Sequence, residues 1–424
     1  MTVKLAYGKT GLEVEFPDGP EITVVHPKYV EGLADPGKAL RQAMQDPVLS
    51  SPLKELAGSA DKIGIIINDI SRATPYSVIL PAILGELEEV PDGDITLFIA
   101  LGTHRENSEQ ELSGILGDSA VKRFRIVQNR CEDKSTQIKV GTSSFGNELW
   151  INRELYECDL KVLTGFIEPH FFAGFSGGGK AVLPGMAGLD TIMNNHSAQR
   201  LDHERSVWGV TEGNPIAEEI AEAVGKVGSC FLVNVTMNKD KEVTGVFAGD
   251  VRSAHAKGCG FARTFSMVPV PRPFDIVVTS NSGYPLDLNL YQSVKGMSAA
   301  AQIVKEGGAI IVAADCWDGV PEHGLYGRLL GESKSPQEVL EKIRNAGEKK
   351  RDQWQAQIQA KIQIKADVFV RSNNLTDEQI KKAQLFVSSS IEATVEDLLA
   401  KYGPKASICV LPEGPLMIPY IERT

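Results

Sequence analysis

Between Glu168 and His196 the chain carries two histidines, a glycine-rich loop and a lysine. The segments read Glu168-Pro169-His170, then Ser176-Gly177-Gly178-Gly179-Lys180, then Asn194-Asn195-His196. Glycines lack a Cβ and let backbone N–H groups approach an anion closely. A lysine closing such a loop acts as a point charge, or as a nucleophile once burial lowers its pKa. The histidines can ligate a metal or move protons. Gly174 to Lys180 fits the phosphate-loop pattern G-x-x-x-x-G-K, but Ala181 follows where Ser or Thr would hold magnesium. That argues against a Walker-type nucleoside triphosphatase and leaves open a loop that holds a phosphate.

Further polar clusters follow apolar runs. Asp69-Ile70-Ser71-Arg72-Ala73-Thr74-Pro75 comes after the run 62–68, Leu101-Gly102-Thr103-His104-Arg105 after 94–100, and Glu168-Pro169-His170 after 160–165. Ligands of open α/β sheets bind beyond the carboxyl ends of the strands. Ser71, Thr74 and Thr103 would each serve as an ordinary helix cap, but three clusters at equivalent places point to a site. A fourth run, 274–280, leads into Tyr291-Gln292-Ser293-Val294-Lys295-Gly296. Gln292 and Lys295 stand three apart and share a helix face. They suit a substrate carboxylate, the lysine by charge and the glutamine by an N–H donor. His26, His203, His255 and His323 lie outside such loops and read as ordinary hydrogen-bonding histidines. No H-E-x-x-H occurs, which excludes a zincin. A bound metal would need ligands gathered from separate loops or from a cofactor.

The elements that must position these residues are strands alternating with helices. Continuous Val/Ile runs at 62–68, 94–100, 160–165, 274–280 and 309–314 read as strands buried on both faces of a parallel sheet. Helices are expected at 81–89 and 108–116. The alternating residues 3–16, with a Gly turn, predict a hairpin. The fold class is α/β: two α/β domains with largely parallel sheets and an active-site cleft between them. The domains expected are 1–267, cofactor-binding and catalytic, and 274–424, closing on substrate. The stiff proline-rich stretch 268–273 is the hinge. The Gln-rich segment 348–367 predicts a long helix lying across the cleft.

Composition narrows the class. A chain of 424 residues is too long for one ordinary core. The net charge of −11 disfavours a nucleic-acid surface. Six scattered cysteines without C-x-x-C indicate a reduced compartment. The start lacks a signal-peptide core, and no apolar run reaches the roughly 18 residues needed to span a bilayer. A cytoplasmic protein without membrane or nucleic-acid partners is expected.

Taken together, these motifs resemble those of the nickel-dependent lactate racemases, in order and spacing over most of the chain. The resemblance implies a 2-hydroxyacid racemase or epimerase using a nickel pincer nucleotide, a pyridine mononucleotide that carries nickel between two sulfur arms. It implies that Lys180 holds this cofactor covalently through a thioamide and that His196 is the protein ligand to nickel. His104 and His170 are then the paired acid/base residues. Arg72 and Lys295 hold the substrate carboxylate with Gln292 nearby. Asp69, Ser176, Gly177, Gly178 and Tyr291 contact cofactor or loop, and Trp354 faces the active site. The implied partners are a small 2-hydroxy acid and the enzymes that make the cofactor. The alternative from another class is a non-catalytic carrier of a nucleotide-type cofactor. The pair His104 and His170 speaks against it, since carriage needs neither.

Overall fold

The computed structural model describes residues 1–321, 324–347 and 349–422. His323 lies outside them. The chain divides into two compact units. A central unit comprises Tyr29–Glu168 and Phe172–Arg263. A terminal unit comprises Met1–Lys28, Pro169–Phe171 and Thr264–Thr424.

The central unit is built on a six-stranded sheet. Its spatial order is Val243–Gly249, Ser229–Met237, Leu160–Phe166, Ile63–Asn68, Ile95–Ala100 and Arg125–Gln128. All neighbours run parallel except the Val243–Gly249 edge strand. The strand Ile63–Asn68 buries Ile63, Ile65, Ile66 and Ile67 completely, as its unbroken apolar run requires of a strand covered on both faces. Ile63, Ile65 and Ile67 face one core with Leu97, Ile99, Val162 and the helix residues Ile79 and Ile83. The chain moves outward one way from Ile63–Asn68 through Ile95–Ala100 to Arg125–Gln128. It then returns to place Leu160–Phe166 on the other side. The carboxyl ends of Ile63–Asn68 and Leu160–Phe166 therefore flank the switch point at which such sheets bind ligands.

The terminal unit holds a second six-stranded sheet, entirely parallel. Its order is Phe386–Val387, Ala366–Arg371, Val304–Ala313, Phe274–Ser280, Ile408–Leu411 and Ile22–Val24. The expected hairpin forms between Thr2–Leu5 and Leu12–Glu15. The sequence placed these residues in a domain 1–267, and the structure corrects this. Strand Ile22–Val24 pairs with Ile408–Leu411. The alternate residues Val3, Leu5, Val14 and Phe16 share a core with Ile276, Val278, Ile311 and Val410. A hairpin with one apolar face needs a sheet to bury it, and the later sheet supplies it.

The helix expected at 81–89 begins earlier, at Tyr76–Glu86, and Pro81 is accommodated inside it. The helix at 108–116 forms as Glu109–Leu116, with Ser108 and Glu111 in a reciprocal capping box. The Gln-rich segment yields the shorter helix Gln353–Lys365. The first half of the proline-rich stretch, Val268–Val270, lies in strand Met267–Val270, which pairs in parallel with Ile418–Ile421, and residues 271–272 then bend.

Candidate active site

At the switch point of the central sheet the chain leaves strand Ile63–Asn68 directly into Asp69-Ile70-Ser71-Arg72. Asp69 Oδ2 lies 2.5 Å from His104 Nδ1, and its Oδ1 accepts from the Ser71 hydroxyl at 2.6 Å. Asp69 is buried, which alone would raise its pKa. The adjoining His104, the Ser71 hydroxyl and the charge of Arg72 outweigh that and hold the carboxyl below its ordinary value. A carboxylate on Nδ1 requires that nitrogen to carry a proton, so Nε2 is the basic position of His104. Arg72 Nη1 donates to Glu168 Oε1 at 3.2 Å, joining the loop after Ile63–Asn68 to the end of Leu160–Phe166.

Ser71 and Thr74, readable from sequence as helix caps, do not cap. Ser71 serves Asp69. Thr74 donates to Asn68 Oδ1 at 2.8 Å, and the following helix starts after Pro75 without a side-chain cap. Asp69, expected to contact cofactor or loop, is committed to His104 and Ser71.

The glycine-rich loop is pinned from several sides. The Ser176 hydroxyl donates to Phe166 O at 2.9 Å and accepts from the Glu168 N–H at 3.0 Å. This makes Ser176 a loop anchor. Gly177 and Gly178 have φ of +74° and +56°, the left-handed region that favours glycine. A short 3-10 turn, Gly178–Ala181, then presents Lys180. Desolvation chiefly, helped by the Arg72 charge and opposed by Glu168, pushes the Lys180 amine down to about 7. Its Nζ stands 5.6 Å from the Phe172 ring centre. The same ring meets His196 edge-on, with centroids 5.0 Å apart. His196 ends helix Leu189–Asn195. Its burial, followed by the charges of Lys180 and Arg200, holds the imidazole well below its usual pKa, hence neutral.

The remaining expected residues belong to the terminal unit. His170 is buried in the short strand Pro169–His170 and stacks on Phe171, centroids 4.9 Å apart. Gln292 and Lys295 lie in helix Leu290–Ala301, whose N-cap Asn289 accepts from the Gln292 N–H. Both side chains are buried, which removes the reading of a solvated helix face. Trp354 Nε1 donates to the Tyr291 hydroxyl at 2.8 Å, and Tyr291 packs edge-on against the fully buried Tyr326. Among the described residues, no group of three or more His, Cys, Asp or Glu side chains converges as a metal cage.

Several residues around the site carried no sequence signal. Asn234, on strand Ser229–Met237, accepts from the Gly178 N–H at 2.7 Å. His255 Nε2 lies 2.8 Å from Ser176 O. Glu219 has no side-chain exposure and binds Arg200, Ser143, Asn147 and Asn195, and so braces the residue next to His196. A lone histidine in a polar helix and an acidic residue in an amphipathic one look ordinary in sequence. Two other described histidines make ordinary contacts: His26 pairs with Glu413 at 3.0 Å, and His203 accepts from the Arg205 N–H at 3.2 Å.

Residues 7–209 match the model for the lactate racemase N-terminal domain, and 270–418 that for the lactate racemase C-terminal domain. The lactate racemase of Thermoanaerobacterium thermosaccharolyticum is 35% identical over 418 residues, covering 97% of each chain. That of Lactiplantibacillus plantarum is 37% identical over 380 residues, covering 89% of each. The apoprotein structure of the Thermoanaerobacterium enzyme superposes with a TM-score of 0.91 at 34% identity over the whole of both chains. A Thermotoga maritima protein at 18% identity and a TM-score of 0.71 shares the fold. Among the described residues, no helix is long and apolar enough to cross a membrane. The chain belongs to the lactate racemase family and is an isomerase.

Proposed function

We propose that the chain inverts C2 of a 2-hydroxy acid, lactate or a close analogue, with hydrogen leaving C2 as hydride and the hydroxyl hydrogen leaving as a proton. The observation that carries this reading is the Asp69–His104 pair at 2.5 Å, at the carboxyl edge of the central sheet. A carrier protein has no use for an imidazole whose tautomer is fixed by a carboxylate.

The residues also fit a covalently held nickel pincer nucleotide. An amine brought down to about 7 is a nucleophile at neutral pH. A neutral imidazole is the form that binds a metal, and imidazole suits nickel. Gly177 and Gly178 take the positive φ that turns the loop toward Lys180. Lys180 would carry the group as a thioamide and His196 would ligate its nickel. When bound, this cofactor supplies the hydride acceptor, chemistry that no side chain provides.

The chain's own residues handle binding and protons. An α-hydroxy acid has a poorly acidic C2–H, so loss of hydride is eased when a base takes the hydroxyl proton at the same time. His104 does this at Nε2 for one enantiomer, and the inverted alcohol takes its proton from the opposite histidine. Asp69 holds the Nδ1–H and stabilises the imidazolium that forms. His170 is the proposed counterpart for the other enantiomer. Arg72, held by Glu168, and Lys295 with Gln292 are the proposed carboxylate-binding groups of their respective units. Tyr291 and Trp354, joined by their hydrogen bond, offer a rigid aromatic edge to cofactor or substrate. Cofactor-making enzymes are the implied partners.

The test is a chiral assay of single enantiomers of several 2-hydroxy acids, using protein co-produced with those enzymes and carrying the adduct. Conversion of either lactate enantiomer toward the racemate is expected. Retained configuration of every acid by loaded protein would end the reading.

A further inference from the structure

We propose that Asn234 and His255 are positioning residues that clamp the Ser176–Lys180 loop in the shape that presents the Lys180 amine. The proposal rests on the reading of Lys180 as the attachment point.

The loop is a poor candidate to hold its own shape. Successive glycines pay a large conformational entropy cost on ordering, and two of them sit at positive φ. Something outside the loop must select this conformer, and two side chains, the buried Asn234 and the half-buried His255, approach it from different elements. From the sheet, Asn234 Oδ1 accepts the Gly178 N–H at 2.7 Å, while its amide donates to Val233 O at 3.0 Å. That second bond fixes which end of the Asn234 amide faces the loop. A Cβ on Gly177 would lie 2.5 Å from the same Oδ1, so the carbonyl occupies the space that glycine leaves. From helix Val251–Ser266, His255 Nε2 donates to Ser176 O at 2.8 Å. A Cβ on Gly178 would lie 2.6 to 2.8 Å from the His255 ring. Each of the two glycines is thus matched to one clamp residue.

The donor role of His255 needs a protonated Nε2 and no positive charge. Burial chiefly, together with the charges of Lys180 and Arg263, lowers its pKa and keeps it neutral. Cys259, one helical turn on, places Sγ 3.5 Å from the same ring. No reacting group is asked of His255 or Asn234. Their part is to stop the loop exploring conformers that turn Lys180 away, as preorganisation of a site requires.

The experiment measures amide hydrogen exchange across Ser176–Lys180 in cofactor-free protein, and the fraction of chains with the Lys180 adduct by intact mass after co-production with the cofactor-making enzymes. Asn234→Ala and His255→Ala should each speed exchange in this loop by about tenfold, the effect of one lost buried hydrogen bond. The strands Leu160–Phe166 and Ile63–Asn68 should stay as protected as in the parent. Adduct fraction should fall several-fold in both variants. His255→Gln, which returns an N–H donor near Nε2, should restore much of it. A purely structural residue would lower protection throughout the sheet and show no such rescue. Unchanged loop exchange with parent-level adduct in both alanine variants overturns the clamp. If neither alanine variant folds, the parent decides: the Gly178 N–H must exchange as slowly as the amides of Ser229–Met237, and exposed-loop exchange overturns the proposal. A parent that never forms the adduct at Lys180 refutes the attachment reading instead, and the exchange data then judge the clamp alone.

Discussion

Asp69 and His104, thirty-five residues apart in sequence, meet at 2.5 Å because the strands that precede them, Ile63–Asn68 and Ile95–Ala100, are parallel neighbours in register. Residues leaving adjacent parallel strands at the same end must emerge side by side. The carboxylate then chooses the imidazole tautomer. Asp69→Asn keeps the shape and removes that choice, since an amide can equally donate to Nδ1. The rate of loaded enzyme should fall by roughly 10²–10⁴, with KM moving far less. A loss below about threefold would mean that His104 does not work through Asp69.

Lys180 should titrate far from ordinary lysines. In cofactor-free protein, its acylation rate relative to exposed lysines, read by peptide mass spectrometry, should rise through a midpoint near 7 rather than 10.5. The same shift has a stability sign. Between those values the unfolded chain binds more protons than the folded one, so stability gains as pH rises. Lys180→Met should therefore stabilise the cofactor-free protein most at or below pH 7, and the gain should fade toward pH 10.5. A gain independent of pH would contradict the shift.

The proposed carboxylate grip of Arg72 relies on its planar fork, one Nη of which donates to Glu168. Arg72→Lys keeps the charge and loses the fork. KM for the hydroxy acid should rise about tenfold or more, with a smaller change in kcat. Parent-level KM in this variant would remove Arg72 from substrate binding.

Glu219 tests the support beneath His196. Its carboxylate accepts from Arg200 Nη2 at 3.0 Å and from Asn195 at 2.8 Å, with 0% of its own side chain and 13% of that of Arg200 exposed. Glu219→Ala strands a largely buried guanidinium. Chemical denaturation should show a loss of roughly 3–5 kcal/mol. A loss under about 1 kcal/mol, the range of surface pairs, would mean that water reaches Arg200.

The strands and site loops were legible because both leave local marks. Ile63–Asn68 and Ile95–Ala100 are unbroken apolar runs, and the polar clusters containing Asp69, His104 and Glu168 follow such runs directly. What stayed hidden depends on contacts distant in sequence. Nothing in Ile22–Val24 announces that it extends the sheet at Ile408–Leu411, 386 residues later by Cα partner Ile22↔Ile408. Ser71 and Thr74 carry the residue types of caps, and only the folded loop reveals that their hydroxyls serve Asp69 and Asn68. Asn234 sits inside a strand and His255 inside a helix, where composition gives no hint that both point at the glycine loop.

The measurement that most directly tests the central claim follows the hydrogen at C2. One lactate enantiomer is incubated with loaded enzyme in deuterium oxide, and the inverted product is examined by proton NMR and mass spectrometry. If C2 hydrogen leaves as hydride and the two histidines handle only the hydroxyl proton, the inverted product keeps its original C2 hydrogen. Deuterium at C2 of the inverted product would mean that a histidine removes that hydrogen as a proton, and the account would be wrong.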